Sequence, residues 1–415
     1  MPTVLVIGTM DTKGPESAFV VECLREAGCR TLIMDVGILD SPRGLECDIT
    51  REAVAAAAGA SLGDLQQSGS RGRAVERMCH GARAIASELV AQRRLSGAIA
   101  LGGAEGSVLA AAAMQQLPLG MPRLIVSPIL SGQRQFAPFV GTSDACLMHS
   151  VVDILGLNSI STEIFANAAA MVAGAALAYE ARSAKATPSH GRRQYAATML
   201  GNSTRALMRL KSAFEPEFGD LVIFHANGVG GAALEQLVRA GRFDGVIDFT
   251  LSEIVGDLVG GFHRAGPSRL EAACRRGLPQ VVVPGCVDFV VVGPLAQLPD
   301  AWRDRPVYYH NPEFTLVRVT KDEQVAVARQ IARKLNAARG PVCLVVPTRG
   351  LSVPNCAADH DGQPGPFWAP DVDAAFREEL AAALAPHVAY REVEAHLNDD
   401  TLVAASLQAA REIFV

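Results

Sequence analysis

Thr9, Asp11, Thr12 and Lys13 follow directly on four apolar residues, Val4 to Ile7, and a glycine, Gly8. Two hydroxyls, a carboxylate and an ammonium within five residues can bind an anion, hold a metal or carry a proton. The apolar run does not alternate and three of its four residues are β-branched, which is how a central parallel strand covered on both faces reads. In an open α/β sheet ligands sit beyond the carboxyl ends of the strands. The cluster is therefore a site candidate, and its plain alternative is a strand-to-helix loop with an N-cap.

Two further stretches carry glycines where a strand gives way to a helix. Gly97 to Leu101 reads as a strand, followed by Gly102, Gly103, Gly106 and Ser107 and then the apolar run Val108 to Met114. Leu221 to His225 reads as a strand, followed by Asn227, Gly228, Gly230 and Gly231 and a helix over Ala232 to Arg239. Backbone amides at such a turn, together with the helix N-terminus, form a cradle for an anion. Glycines at these positions also serve close helix–strand packing.

His225 stands directly before the second cradle and can exchange a proton near neutral pH. It is the candidate acid/base or anion-binding residue, with Glu253 next; either Glu253 or Asp144 could orient the imidazole or hold a metal. The alternatives are an N-cap for Asp144 and a backbone-bonded strand-end histidine for His225. Cys286, Asp288, His310, His396 and Asp399 also end predicted segments; Cys286 is expected to be a packing residue. The chain has no G-x-S-x-G elbow and no glycine loop followed by GK[ST], so neither a hydrolase nor a P-loop mode is supported.

Positioning these residues requires repeated strand–turn–helix units. A helix opening at Pro15-Glu16-Ser17 and a strand over Thr31 to Val36 complete a βαβ unit with parallel strands. The stretch from Ser41 to Gly72 is polar and alanine-rich, a loop carrying a short helix that could fold over a ligand. Ser183 to Arg193 is the clearest linker, and beyond it the same architecture restarts at Ala196. The expected organisation is α/β, with an N-terminal Rossmann-like nucleotide-binding domain over 1–185, a linker over 183–194 and a C-terminal Rossmann-like domain over 195–415. Their mainly parallel sheets are expected to face an interdomain cleft.

Composition excludes several classes. Aromatic residues are 5% and the formal net charge is −5, which argues against a nucleic-acid partner. Nine cysteines without a CxxC pair read as reduced residues of a cytoplasmic protein. The most apolar helical stretch, Ala166 to Tyr179, is expected to be too short and too alanine-rich to span a bilayer, so no membrane partner is expected. A small-molecule ligand and a possible homo-oligomer remain.

The chain resembles the Tm-one-like ATP-binding family, named after a tomato virus-resistance protein. The resemblance rests on GTMDTKG (8–14), LGG…GS (101–107), VGTSD (140–144) with SVVDILGLN (150–158), and FHANGVGG (224–231). It continues through AGPSRLEAACRRGLPQVVVPG (265–285), HNPEFTLVR (310–318) and HLND (396–399), nearly end to end. It implies two Rossmann-like domains and an ATP site at Thr9, Asp11, Lys13, Gly102, Gly103, Gly106 and Ser107. Members often carry a downstream barrel domain, which is not expected in this chain.

One departure stands out. Where the family cradle reads Gly-Gly-Ser-Gly-Gly-Thr, this chain has Ala104 and Glu105 in place of Ser-Gly. A carboxylate in a phosphate cradle repels phosphate unless a metal lies between them. Either Glu105 points away, or it holds Mg²⁺, or this member binds something other than ATP. Two functions follow: a nucleotide-binding protein, or an enzyme acting on a phosphorylated or carboxylated small metabolite with His225 as acid/base.

Overall fold

Alternating residues of the first strand are buried on opposite faces, Leu5 and Ile7 in one apolar cluster and Val4 and Val6 in another, which fixes a sheet covered by helices on both sides. The computed structural model describes residues 1–130, 137–185 and 192–414. The chain divides into two compact units, Met1–Pro188 and Ser189–Val415. Residues 186–191 of the expected linker lie outside the described residues, while its two ends belong to the flanking helix and strand.

The first unit is built on β1 (Thr3–Gly8), β2 (Arg30–Asp35), β3 (Gly97–Leu101), β4 (Arg123–Ser127) and β5 (Cys146–His149). All pairings are parallel and the order is β2-β1-β3-β4-β5. Helix α1 (Met10–Glu26) connects β1 to β2. Then come α2 (Arg51–Ala57), α3 (Leu62–Gln67), α4 (Arg71–Ala91), α5 (Ala104–Met114), α6 (Ala137–Val140) and α7 (Ser159–Lys185). Residues of α1 and α7 pack on one face of the sheet and those of α4 and α5 on the other.

Helix α1 starts at Met10, five residues before the expected opening at Pro15. The Met10 amide donates to Asp35 Oδ1 at 3.0 Å, and the Thr9 carbonyl accepts from the amides of Thr12 and Lys13. Lys13 itself is non-helical, with φ −123° and ψ 19°, so Pro15 sits just past a kink, where its missing N–H costs little. Helix α7 runs for 27 residues, longer than the expected apolar stretch Ala166–Tyr179, and by length and composition it could cross a membrane. In this unit Phe165, Ala168, Ala169, Val172, Ala173 and Ala176 bury one face of it on the sheet.

The second unit contains β6 (Arg193–Met199), β7 (Gly219–His225), β8 (Gly245–Asp248) and β9 (Gln280–Val282). They are followed by β10 (Phe289–Val292), β11 (Val307–Asn311), β12 (Phe314–Arg318), β13 (Val342–Pro347) and β14 (Val388–Val393). Six of these form a parallel sheet in the order β14-β13-β9-β8-β6-β7. Helices α8 (Thr204–Phe218), α9 (Val229–Arg239), α10 (Ser252–Val255), α11 (Ala272–Arg276), α12 (Lys321–Leu335), α13 (Pro370–Ala383) and α14 (Asp400–Ile413) complete the unit. Between β9 and β13 the chain inserts a small antiparallel sheet, β10-β12-β11, which the sequence reading did not anticipate. Both principal sheets are parallel, as the Rossmann-like expectation requires.

Candidate functional site

In the first sheet β1 lies between β2 and β3, so the helices that leave β1 and β3 depart to opposite faces and a crevice opens at the strand ends. A cavity of about 570 Å³ fills this crevice, a volume suited to a small organic ligand. Thr9, Asp11, Thr12 and Lys13 line it from the turn after β1, and Gly103, Ala104, Glu105 and Gly106 from the turn after β3. Val36, Ile38, Leu39, Leu65 and Leu109 give it an apolar wall, and residues 68–71 close one side.

The first turn is held by its own side chains. The hydroxyls of Thr9 and Thr12 lie 2.8 Å apart. Asp11 is buried, and its Oδ2 accepts from the amides of Leu39 and Asp40, each at 3.2 Å, which ties the segment after β2 to the start of α1. Gly14 is obligatory: a Cβ there would stand 1.8 Å from the Arg43 carbonyl oxygen. Lys13 Nζ donates to the carbonyl of Ile154, and Glu16 Oε1 accepts from the Gly156 amide at 2.6 Å, so residues 154–156 strap onto α1. An ammonium carries three donors, which leaves Lys13 able to meet a ligand in the cavity that it lines.

Asp35 ends β2 and faces inward. Its Oδ1 accepts from the amides of Met10 and Gly37, and burial pushes its carboxyl above the usual range despite those two bonds. It shapes the turn and does not line the cavity.

The second turn separates the glycines by role. A Cβ on Gly102 would stand 2.9 Å from the backbone of Gly106, and the buried Ser107 hydroxyl donates to the Gly102 carbonyl at 3.2 Å. Gly102 and Ser107 thus build the turn from behind, while Gly103 and Gly106 line the cavity. Gly103 is the N-cap of α5, whose first helical backbone bond runs from the Ser107 amide to the Gly103 carbonyl. The amides of Ala104, Glu105 and Gly106 precede that bond and have no intrahelical acceptor. Glu105 turns its carboxylate to Arg71, the first residue of α4, with Nη2 2.7 Å from Oε2.

The expected covering segment is present in more ordered form than a loop. Helices α2 and α3 carry side-chain caps from Thr50 and Ser61, and Gln66 Nε2 donates to the carbonyls of Ile38 at 2.6 Å and Leu39 at 3.0 Å. Gln66, Ser70 and Arg71 are cavity residues that the sequence reading missed, because no spacing links them to either glycine turn.

The second glycine turn, by contrast, is filled from within. Glu253 Oε1 accepts from the amides of Gly228 at 2.6 Å and Gly231 at 3.0 Å, so the anion of this cradle is a side chain of the protein. A Cβ on Gly231 would lie 1.9 Å from Glu253 Oε2, and one on Gly230 1.9 Å from the His225 carbonyl oxygen. These glycines, with Gly228 at φ +99°, admit the carboxylate and the tight turn and offer no open cradle.

Glu253 has no exposure. Its Oε2 receives Arg269 Nε at 2.7 Å, and Arg269 also meets Asp248 Oδ1 through Nη2 at 2.6 Å and Glu235 at 3.7 Å. Glu253, expected as a second acid/base candidate, is thus engaged by two backbone amides and a guanidinium. Asp144 pairs with the buried Arg123 at 3.0 Å and accepts from the Gly120 amide at 2.8 Å, a structural brace in the first unit. His225 is exposed at the end of β7. Glu253 and Asp144 each have partners within their own unit.

Residues 2–181 match the N-terminal domain, and residues 192–414 the C-terminal domain, of an uncharacterised protein family, UPF0261. A UPF0261 protein of Clostridium tetani is 37% identical over 361 residues, 87% of this chain and 86% of that protein. One from Rhizobium meliloti is 34% identical over 415 residues, covering 100% of this chain and 99% of its own. The tomato (Solanum lycopersicum) protein described as ToMV susceptible protein tm-1(GCR26) is 34% identical over 314 residues, 76% of this chain and 41% of that protein. Among solved structures, a UDP-N-acetylglucosamine 2-epimerase covers 93% of this chain and 91% of its own at 11% identity, with a TM-score of 0.23, too low to bear on function.

Proposed function

Because this chain belongs to the uncharacterised protein family UPF0261 in both of its units, we propose its function from the cavity geometry: the first unit binds a nucleotide. The resemblance of its motifs makes ATP the nucleotide of choice. The phosphates take the amides of Ala104 to Gly106 and the Lys13 ammonium, and the base takes the apolar wall of Val36, Ile38, Leu39 and Leu65. Mg²⁺ enters with the phosphates.

One observation carries this reading. A single cavity at the switch between β1 and β3 joins the unpaired amides of a helix N-terminus, a lysine from the neighbouring turn and an apolar wall. Helix N-terminal amides and the dipole behind them favour a phosphate at such a place. No comparable support attaches to an enzymatic role for His225, whose neighbouring cradle is occupied by Glu253.

Calorimetric titration of the whole chain with ATP, with and without Mg²⁺, tests the proposal. Saturable heat is expected from the unaltered protein. Lys13→Ala should weaken binding about tenfold, the equivalent of one charge-assisted hydrogen bond of about 1.5 kcal/mol. No heat from the unaltered chain at millimolar ATP would overturn it.

A further inference from the structure

Arg71 and Glu105 come from different helices and meet at the cavity. Arg71 is the first residue of α4, Glu105 the second of α5, and both line the cavity that the first glycine turn shapes. Their paired atoms approach to 2.7 Å, and both side chains are exposed, 75% for Arg71 and 42% for Glu105. An exposed pair of this kind contributes little to stability, because water screens it and two long side chains must be ordered to form it. Its position is the informative feature. Glu105 belongs to the first turn of α5, whose amides would receive an anion, and the Arg71 guanidinium presents a planar donor fork that suits phosphate as well as carboxylate.

We propose that the Arg71–Glu105 pair is a charge clasp that sets how much negative charge the cavity accepts. The proposal rests on the nucleotide reading of the same cavity. An incoming phosphoryl group takes Arg71 from Glu105, so Arg71 is a ligand-binding residue and Glu105 its competitor. Each negative charge on the ligand near the start of α5 meets the released carboxylate and is penalised. Glu105 thereby lowers the preference for triphosphate over diphosphate and over uncharged nucleoside that the lysine, the guanidinium and the helix N-terminus would otherwise impose.

The two partners must act in opposite directions, which a merely structural ion pair would not do. The test is calorimetric titration of the full chain, in Glu105→Gln and Arg71→Gln forms beside the unaltered one, with ATP, ADP and adenosine as probes at low and physiological salt. Glu105→Gln should tighten ATP by about fivefold, a value set by the worth of an exposed pair, with less effect on ADP and none on adenosine. Arg71→Gln should weaken ATP by a similar factor, again leaving adenosine unchanged. Both effects should shrink as salt is raised. Equal ATP affinity in all three proteins, or a shift of the same sign in both variants, would overturn the clasp while leaving the nucleotide reading in place. Failure of all three to bind any probe would overturn the nucleotide reading, and the clasp with it.

Discussion

Single residues in this protein differ most in whether their partners are local. The glycines that the sequence marked are obligatory for reasons visible only in space: Gly14 faces the Arg43 carbonyl, and Gly231 faces the Glu253 carboxylate. Asp288 shows how a strand-end acid can be structural. It is fully buried, its Oδ2 accepts from Ser352 at 2.6 Å, and burial pushes its carboxyl from an ordinary 3.8 up to about 6, against the pull of Arg318. Between those values the folded protein holds a proton that the unfolded chain has released. Its contribution to stability is therefore present in full below pH 3.8 and is lost as pH rises through 6, roughly 3 kcal/mol across the window. His263 works the other way. Burial, with His225 and His310 nearby, pushes its imidazole from 6.5 down to about 4, so its contribution is present above 6.5 and is lost as pH falls toward 4. Both residues lie in the second unit, as do the two tryptophans, Trp302 and Trp368. Urea unfolding followed by tryptophan fluorescence from pH 4 to 8 should show Asp288→Asn gaining on the unaltered protein as pH rises, and His263→Gln gaining as it falls.

At the scale of elements, what could be read from the sequence was what local pattern encodes. The unbroken apolar run of β1 announced a parallel strand, because both of its faces are buried. The turns after β1 and β3 were identified as site material, and both line the cavity. The antiparallel β10-β12-β11 insertion was missed, since β11 is short and half-exposed and its pairing with β12 is broken by a register shift near Tyr309. The second glycine turn looked the same as the first in sequence. What distinguishes it is Glu253, delivered from α10 more than twenty residues on, and Arg269, delivered from later still. Arg269 ties the turn after β7, the end of β8 and, through Glu235, the amides of Leu270 and Ala272 that open α11. Arg269→Met would leave Asp248, Glu253 and Glu235 buried without their cation. Removing one partner of a buried pair costs about 3–5 kcal/mol, and the urea midpoint read by tryptophan fluorescence should fall accordingly. An unchanged midpoint would remove Arg269 from the account of this unit.

For the whole molecule, two parallel-sheet units each present a glycine turn before a helix; the first opens onto a cavity with unpaired amides, while the second already encloses a carboxylate. The central claim is that nucleotide binding belongs to the first unit and follows from that difference. Hydrogen–deuterium exchange of the full chain with and without saturating Mg²⁺–ATP reads both turns in one experiment. The account predicts added protection over residues 9–13, 66–71 and 103–107, and no change over 226–231, whose Gly228 and Gly231 amides Glu253 already holds. Added protection over 226–231 with none over 103–107 would contradict it.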